Sequence, residues 1–263
     1  MIALDRVSVE PSRRCSKGCS FCYNGSGPEG DGAWSPGELI GFAKDCAAHG
    51  VKAVSLGGGE PLEYDGVFDV LRALEGAVFR SLTTSGLPLL DGPTLDALVA
   101  ARPDKVHVSI HAPENPREVE RVVAQVTELA SRGVRSGVNL LVRRSRLDEA
   151  RAAAGVLRAA GVGNERVVYL PMRGPGDDAP SDRDVASVAG GPFQSMTCLT
   201  GCGKSPRFAS VAHDRTAAWC SYTQTRRALR APTWAALVEA LGGDGGLGLK
   251  PCREGLVSLR RRA

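Results

Sequence analysis

The sequence predicts an α/β protein built as a partial, TIM-like (β/α)6 barrel with a small cysteine-rich C-terminal extension, and three observations carry that prediction. Short apolar, β-rich runs begin near Leu4, Ala53, Phe79, Lys105, Arg135 and Arg166. Each is followed by a longer stretch of helical periodicity, with steps of 26, 26, 30 and 31 residues from the second start onward. The segment Arg173-Gly174-Pro175-Gly176-Asp177-Asp178-Ala179-Pro180 then reads as a loop or linker, and the region beyond it holds four of the eight cysteines. Parallel strands joined by right-handed helical crossovers form a doubly wound sheet or a barrel, and six units favour the partial barrel. We expect a barrel domain over residues 1–180 and an extension over 181–263, the latter too short for a large core of its own and so packed on the barrel.

The first step is long, 49 residues from Leu4 to Ala53, and its excess lies between Val9 and Ser35. That insertion carries three cysteines and a glycine-rich stretch, in which Gly25 to Gly32 reads as an exposed loop more readily than as a lid. Ser35-Pro36-Gly37-Glu38 is a capping box with proline at the first helical position, leading into the apolar face Leu39, Phe42, Ala43 and Cys46. Cys46 on that face is expected to be an inert core thiol. The second strand, Ala53 to Leu56, runs directly into Gly57-Gly58-Gly59-Glu60-Pro61, and the third ends at Thr83-Thr84-Ser85-Gly86. The fourth ends at Ser109-Ile110-His111, the fifth carries Asn139, and Leu170 and Met172 stand at the end of the sixth, Val167 to Pro171. Between them Asp91 to Ala101, Asn115 to Arg132 and Leu147 to Ala160 read as helices.

Charge and composition narrow the functional classes. Lys plus Arg is 33 against 29 Asp plus Glu, a formal balance of +4, which excludes a strongly basic nucleic-acid binder. The Arg260-Arg261-Arg262 tail reads as a solvated terminus. Apolar runs such as Val138 to Val142 are far shorter than the ~18 residues of a membrane span. Met1 to Arg14 carries five charged residues and no apolar core of a signal peptide, so a cytoplasmic location is expected. Thiols stay reduced there, and clustered cysteines serve as metal ligands or catalysts more often than as disulfides.

Cys15-Ser16-Lys17-Gly18-Cys19-Ser20-Phe21-Cys22 places three thiols in a C-x3-C-x2-C array on the loop leaving the first strand, the end where βα barrels carry their catalytic loops. Structural zinc wants four ligands, and no histidine or cysteine follows Cys22 closely. Three thiolates suit a [4Fe–4S] cluster with one iron left open to a chelating ligand.

This spacing, with aromatic Phe21 before the third cysteine, closely resembles the signature of the radical S-adenosylmethionine (SAM) superfamily. The resemblance spans about residues 4 to 172. It implies that Cys15, Cys19 and Cys22 hold the cluster, that the open iron binds SAM, and that reductive cleavage yields a 5′-deoxyadenosyl radical that abstracts a substrate hydrogen atom. Gly57, Gly58, Gly59 and Glu60 resemble the superfamily's GGE motif, where strand-end backbone and carboxylate meet the SAM ammonium. By the same resemblance Ser85 contacts SAM polar groups, Ser109 and Asn139 its ribose, carboxylate or methionine end, and Leu170 and Met172 its adenine. His111 faces substrate or is simply hydrogen-bonded at a loop start. An external electron donor such as flavodoxin or ferredoxin is implied.

Cys198, Cys202, Cys220 and Cys252 suggest a second, auxiliary [4Fe–4S] cluster, with zinc or free thiols as alternatives. Cys202 to Cys220, enclosing Arg207 to Val211 and His213-Asp214-Arg215, resembles the hairpin of the SPASM or twitch domain. That domain normally closes with a C-x2-C pair, whereas Cys252 stands alone; Cys198 would supply the missing ligand, or one of Cys198 and Cys252 would act catalytically as a hydrogen-atom donor. The expected reaction is oxidation or crosslinking of a small natural-product intermediate or a peptide, and the early start of the first strand shifts the expectation towards the small molecule. The alternatives are a radical epimerase, a glycyl-radical activase and, outside enzymes, a metal-binding module.

Overall fold

The computed structural model describes residues 2–173, 178–195, 207–223 and 225–242. Cys198, Cys202 and Cys252 lie outside the described residues. Six parallel strands, β1 (Arg6–Val9), β2 (Ala53–Leu56), β3 (Phe79–Thr84), β4 (Lys105–Ile110), β5 (Ser136–Val142) and β6 (Val167–Pro171), lie in sequence order, as the βα periodicity predicts. Their crossovers are α1 (Pro36–Ala48), α2 (Val67–Ala73), α3 (Gly92–Ala100), α4 (Pro116–Ser131) and α5 (Leu147–Ala159). The short α2 has only two turns of apolar pattern, too few to be distinct in the sequence.

Capping chemistry sets the helix starts. The Ser35 side chain accepts from Glu38 N while Glu38 reaches back to Ser35 N, and Pro36 stands at the first helical position. Asp91 and Asn115 cap α3 and α4 in the same sense, each with a proline in the first turn.

Strand alternation divides the sheet into two unlike faces. One carries Val7, Val9, Val54, Leu56, Leu82, Val106, Val108, Val138 and Leu140, all buried in one core with the apolar stripes of the helices. The other carries Ser8, Ser55, Ser81, Lys105, His107, Ser109 and Asn139; Ser55 and Ser81 meet hydroxyl to hydroxyl at 2.7 Å across β2 and β3. A complete barrel fills its interior with Val, Ile and Leu. Here the lumen face is polar.

The extension adds to both ends of this sheet. After α6 (Asp182–Ala189), β7 (Gln194–Ser195) pairs in parallel with β6. β8 (Phe208–Val211) pairs in parallel with β1, and its hairpin partner β9 (Thr216–Ala218) is followed by β10 (Arg227–Ala228) and α7 (Trp234–Gly242). The order β10-β9-β8-β1-β2-β3-β4-β5-β6-β7 therefore contains eight successive parallel strands in an open sheet. The expected boundary near residue 181 falls at the N-cap of α6, which packs on α5 and β6, so the βα pattern runs across it.

Candidate active site

The cysteine loop leaves β1 and meets the C-terminal ends of β2, β4 and β5. After Val9 the chain runs beside the end of β2: Gly57 N donates to Val9 O at 3.0 Å, Gly59 N to Ser12 O at 3.0 Å and Glu60 N to Arg14 O at 2.7 Å. A Cβ at Gly59 would overlap the Arg14 carbonyl, and Gly58 combines a φ of 96° with the Glu10 side chain against its Cα. Gly58 and Gly59 are thus required for backbone approach, whatever else they bind, whereas Gly57 has room for a Cβ. The stretch Gly25 to Gly32 is laid along the same loop, with Cys15 N donating to Gly27 O at 2.9 Å and Gly27 N to Arg13 O at 3.0 Å.

Cys15, Cys19 and Cys22 are half-buried free thiols on this loop. Burial pushes the Cys15 thiol up, opposed by the Gly18 and Lys17 backbone N–H groups that point at its sulfur. Burial also raises Cys19, with the Lys17 ammonium opposing it and the two neighbouring cysteines adding to the rise. The Cys22 thiol donates to Asn24 Oδ1 at 3.0 Å. Among the described residues no three His, Cys, Asp or Glu side chains close on a single metal ion.

The loop is fastened to β4 and β5 by residues that the sequence did not single out. Glu118 on α4 accepts from Lys17 Nζ at 2.9 Å and from His111 N at 2.7 Å, so one carboxylate joins the cysteine loop to the end of β4. The Arg143 guanidinium lies over the Phe21 ring, 4.5 Å from its centroid, and the Phe21 and His111 rings are 6.0 Å apart. Burial and then the Lys17 charge push the His111 imidazole down to about 4, and within the described structure its Nδ1 is buried without a hydrogen-bond partner. Lys17 and Arg143 lie in irregular segments with no periodic signal, which is why sequence patterns pass over them.

Glu60 is 2% exposed, and its carboxylate accepts from Ser85 N and Ser85 Oγ at 2.7 Å each and from Leu62 N at 3.2 Å. Two expected SAM contacts are therefore bound to each other. Burial raises Glu60, and the Ser85 and Thr84 hydroxyls and the Ser85 and Leu62 amides oppose it. α4 braces the same corner, with Arg121 Nη1 donating to Ser85 O at 3.1 Å and Gln125 Nε2 to Gly86 O at 2.6 Å. Ser109 and Asn139 are register partners on the lumen face, both buried, and Leu170 lies on β6 two positions beyond Val168, the register partner of Asn139. Met172 N donates to Val142 O at 2.8 Å just beyond β6.

The family model of the radical SAM superfamily matches residues 9–182, two thirds of the chain. The chain belongs to the radical SAM superfamily. Similar curated proteins are the probable GTP 3′,8-cyclases of Methanothermobacter marburgensis, 32% identical over 122 residues, and Methanocella arvoryzae, 27% identical over 114 residues. These matches cover 44% and 43% of this chain but only 38% and 36% of those proteins. Among solved structures, Streptococcus suis SuiB bound to S-adenosylmethionine superposes with a TM-score of 0.68 at 14% identity, covering 86% of this chain and 63% of that one. Native anSMEcpe with bound AdoMet gives 0.64 at 14% identity, with 89% and 80% covered. At such identities the structural likeness establishes the shared fold.

Radical SAM chemistry rests on a [4Fe–4S] cluster and SAM, and the donor set of the loop fits the cluster. Three reduced thiols sit together on one loop, and backbone N–H groups are already aimed at Cys15. Ligation would take the proton from Cys22, leaving Asn24 Oδ1 still bonded by Ser26 N and Oγ at 3.2 and 2.6 Å. Cys46, by contrast, is buried in the α1 face with its thiol pushed up to about 12 by burial, as expected for a core residue. Cys220 is half-buried in the loop after β9, where Tyr222 packs on Tyr23, the residue after Cys22, with ring centroids 4.8 Å apart.

Proposed function

We propose that this chain is a radical SAM enzyme that abstracts a hydrogen atom from a small-molecule or peptide substrate and leads it to oxidation or crosslinking. The observation that carries the reading is the half-buried trio Cys15, Cys19 and Cys22, set against the Gly57–Glu60 strand end at the C-terminal face of the sheet. When bound, the cluster and SAM supply a reductive cleavage whose product is a 5′-deoxyadenosyl radical. The chain's own residues hold and orient. Lys17, Glu118 and Arg143 fix the cysteine loop on β4 and β5, and Glu60 fixes the ends of β2 and β3 through Ser85. The glycine backbone and Glu60 would meet the SAM ammonium, Ser109 and Asn139 its ribose and methionine end, and Leu170 and Met172 its adenine. His111, uncharged at neutral pH, offers its free Nδ1 to substrate or cofactor.

Cys220, with Cys198, Cys202 and Cys252, would hold an auxiliary cluster, which would supply an acceptor for the second electron of an oxidation, and a flavodoxin or ferredoxin would be the external electron donor. A second reading, cyclisation of a nucleotide, is favoured by the names of the curated relatives, of whose length the chain spans less than two fifths. Substitution of Cys15, Cys19 and Cys22 by alanine tests the core of the proposal. Under anaerobic reducing conditions 5′-deoxyadenosine formation should disappear, and undiminished formation would reject it. Native protein should carry about eight irons, falling to about four when Cys202, Cys220 and Cys252 are replaced; four irons with zinc would reject the auxiliary cluster.

A further inference from the structure

The lumen face carries charge as well as hydroxyls, and at the N-terminal ends of the strands the charge has one sign. Lys105 opens β4 opposite Ser81, a lumen position, and Val106 N donates to Arg135 O at 2.9 Å, which sets Arg135 beside Lys105 on the same face. Arg6 opens β1 on the same face, two residues before Ser8 and so one row below Lys105, whose row runs through Ser81, Ser55 and Ser8; Arg6 and Arg135 are exposed and Lys105 is half-buried. Their fields meet at Lys105, which is pushed down by burial, then by Arg6, then by Arg135, with no carboxylate opposing the shift. The acids at this end are engaged elsewhere. Asp104 accepts from Arg80 N and Nε at 2.7 and 2.9 Å, and Asp5 pairs with Lys52 and Arg207 at 3.2 and 2.5 Å. Above Lys105, His107 faces the same lumen beside Asn139, and within the described structure its Nε2 is buried without a partner.

Cations of one sign at one mouth of the sheet, two exposed and Lys105 half-buried, repel one another, and a buried polar atom without a partner is costly. A bound anion relieves both. We infer that the base of the lumen binds a phosphate or pyrophosphate group of the substrate, held by Lys105, Arg135 and Arg6 with the His107 imidazole next to it. A single carboxylate would leave most of the positive charge unmatched, whereas a phosphate group brings two or more negative charges and suits both arginine and lysine. Lys105 and Ser109 are four residues apart on one strand, roughly 13 Å at ~3.3 Å per residue. The substrate would be elongated, with its phosphate at the base and its reacting carbon near the cysteine loop. This rests on the radical reading and deepens it by naming the substrate's chemistry.

The test is calorimetric titration of the whole chain, cluster-loaded and SAM-bound, with inorganic pyrophosphate, and with succinate as a carboxylate control. Saturable pyrophosphate binding is expected, weakened roughly tenfold or more in Lys105→Gln and in Arg135→Gln. Lys105→Arg, which keeps the charge, should retain it. Absence of binding, equal or tighter binding of succinate, or binding unchanged in Lys105→Gln (an adventitious ion only) would overturn the site. The same wild-type sample is assayed for 5′-deoxyadenosine. Cleavage of SAM without pyrophosphate binding rejects this site alone, and binding without cleavage rejects the radical reading alone.

Discussion

Glu60 is the residue on which the site's geometry turns. Its buried carboxylate accepts from Ser85 N and Oγ just beyond β3 on one oxygen and from Leu62 N on the other, so a glutamine would set its amide donor against one of these two sets of donors. Glu60→Gln is expected to lower unfolding free energy by ~1.5–3 kcal/mol, the range of a charge-assisted hydrogen bond, and to weaken SAM binding as the strand end loosens. Chemical denaturation and SAM titration check it; full stability would show that the carboxylate does not hold the corner, and loss of stability with intact SAM affinity would leave it a strut only. The two half-buried histidines, His107 and His111, make a second prediction at this scale. His107 and His111 are each held down at about 4, chiefly by burial, against an unfolded value near 6.5. Between those values the unfolded chain binds protons that the folded one refuses, so stability is full above pH ~6.5 and is lost as pH falls towards 4, by up to about 3 kcal/mol per histidine. Urea midpoints measured from pH 7.5 to 4.5 should fall accordingly, before the paired carboxylates begin to titrate. A flat profile would contradict the burial of both rings.

At the scale of elements, α1 shows how one local signal serves two levels. Glu38 closes the capping box on Ser35 N and Oγ at 3.1 and 2.7 Å, and it also receives Arg215 Nη2 from the turn of the β8–β9 hairpin at 2.7 Å. Arg215 has a φ of 60°, so the ion pair fastens a turn residue in the left-handed region. Ser35→Ala is expected to cost about 1 kcal/mol as a lost N-cap. Because the serine also orients Glu38, combining it with Arg215→Ala should give less than the sum of the single effects; strict additivity in the double-mutant cycle would show that cap and hairpin are independent.

At the scale of the molecule, the extension protects the barrel. β8 covers β1, which would otherwise be an open parallel edge, and α7 docks behind it, with Trp234 N donating to Asp45 Oδ2 at 2.7 Å and its ring stacked on His49 at 5.4 Å. An uncovered edge with Val7 and Val9 behind it is a template for association. A chain ending at residue 195 is therefore expected to elute as oligomers or aggregates in size-exclusion chromatography where the whole chain does not. A monodisperse, folded truncated protein would show that β1 needs no cover.

The six strands, the helices α1, α3, α4 and α5 with the caps of the first three, and the cysteine loop were legible in the sequence because each depends on neighbours along the chain: periodic burial, a side chain two or three residues from its amide, thiols separated by three and two residues. The expected SAM residues were legible as strand ends for the same reason. The sequence did not disclose that Glu60 binds Ser85, that Glu118 joins Lys17 to the end of β4, or that β8 returns beside β1. Apart from the step from His111 to Glu118, those contacts bring together residues separated by tens to hundreds of positions, and only the pairing of strands and the packing of loops on them decide which of them meet. The cationic lumen belongs to the same class. Arg6, Lys105 and Arg135 are unremarkable one by one, and share one face of the sheet only through the register of β1 to β5.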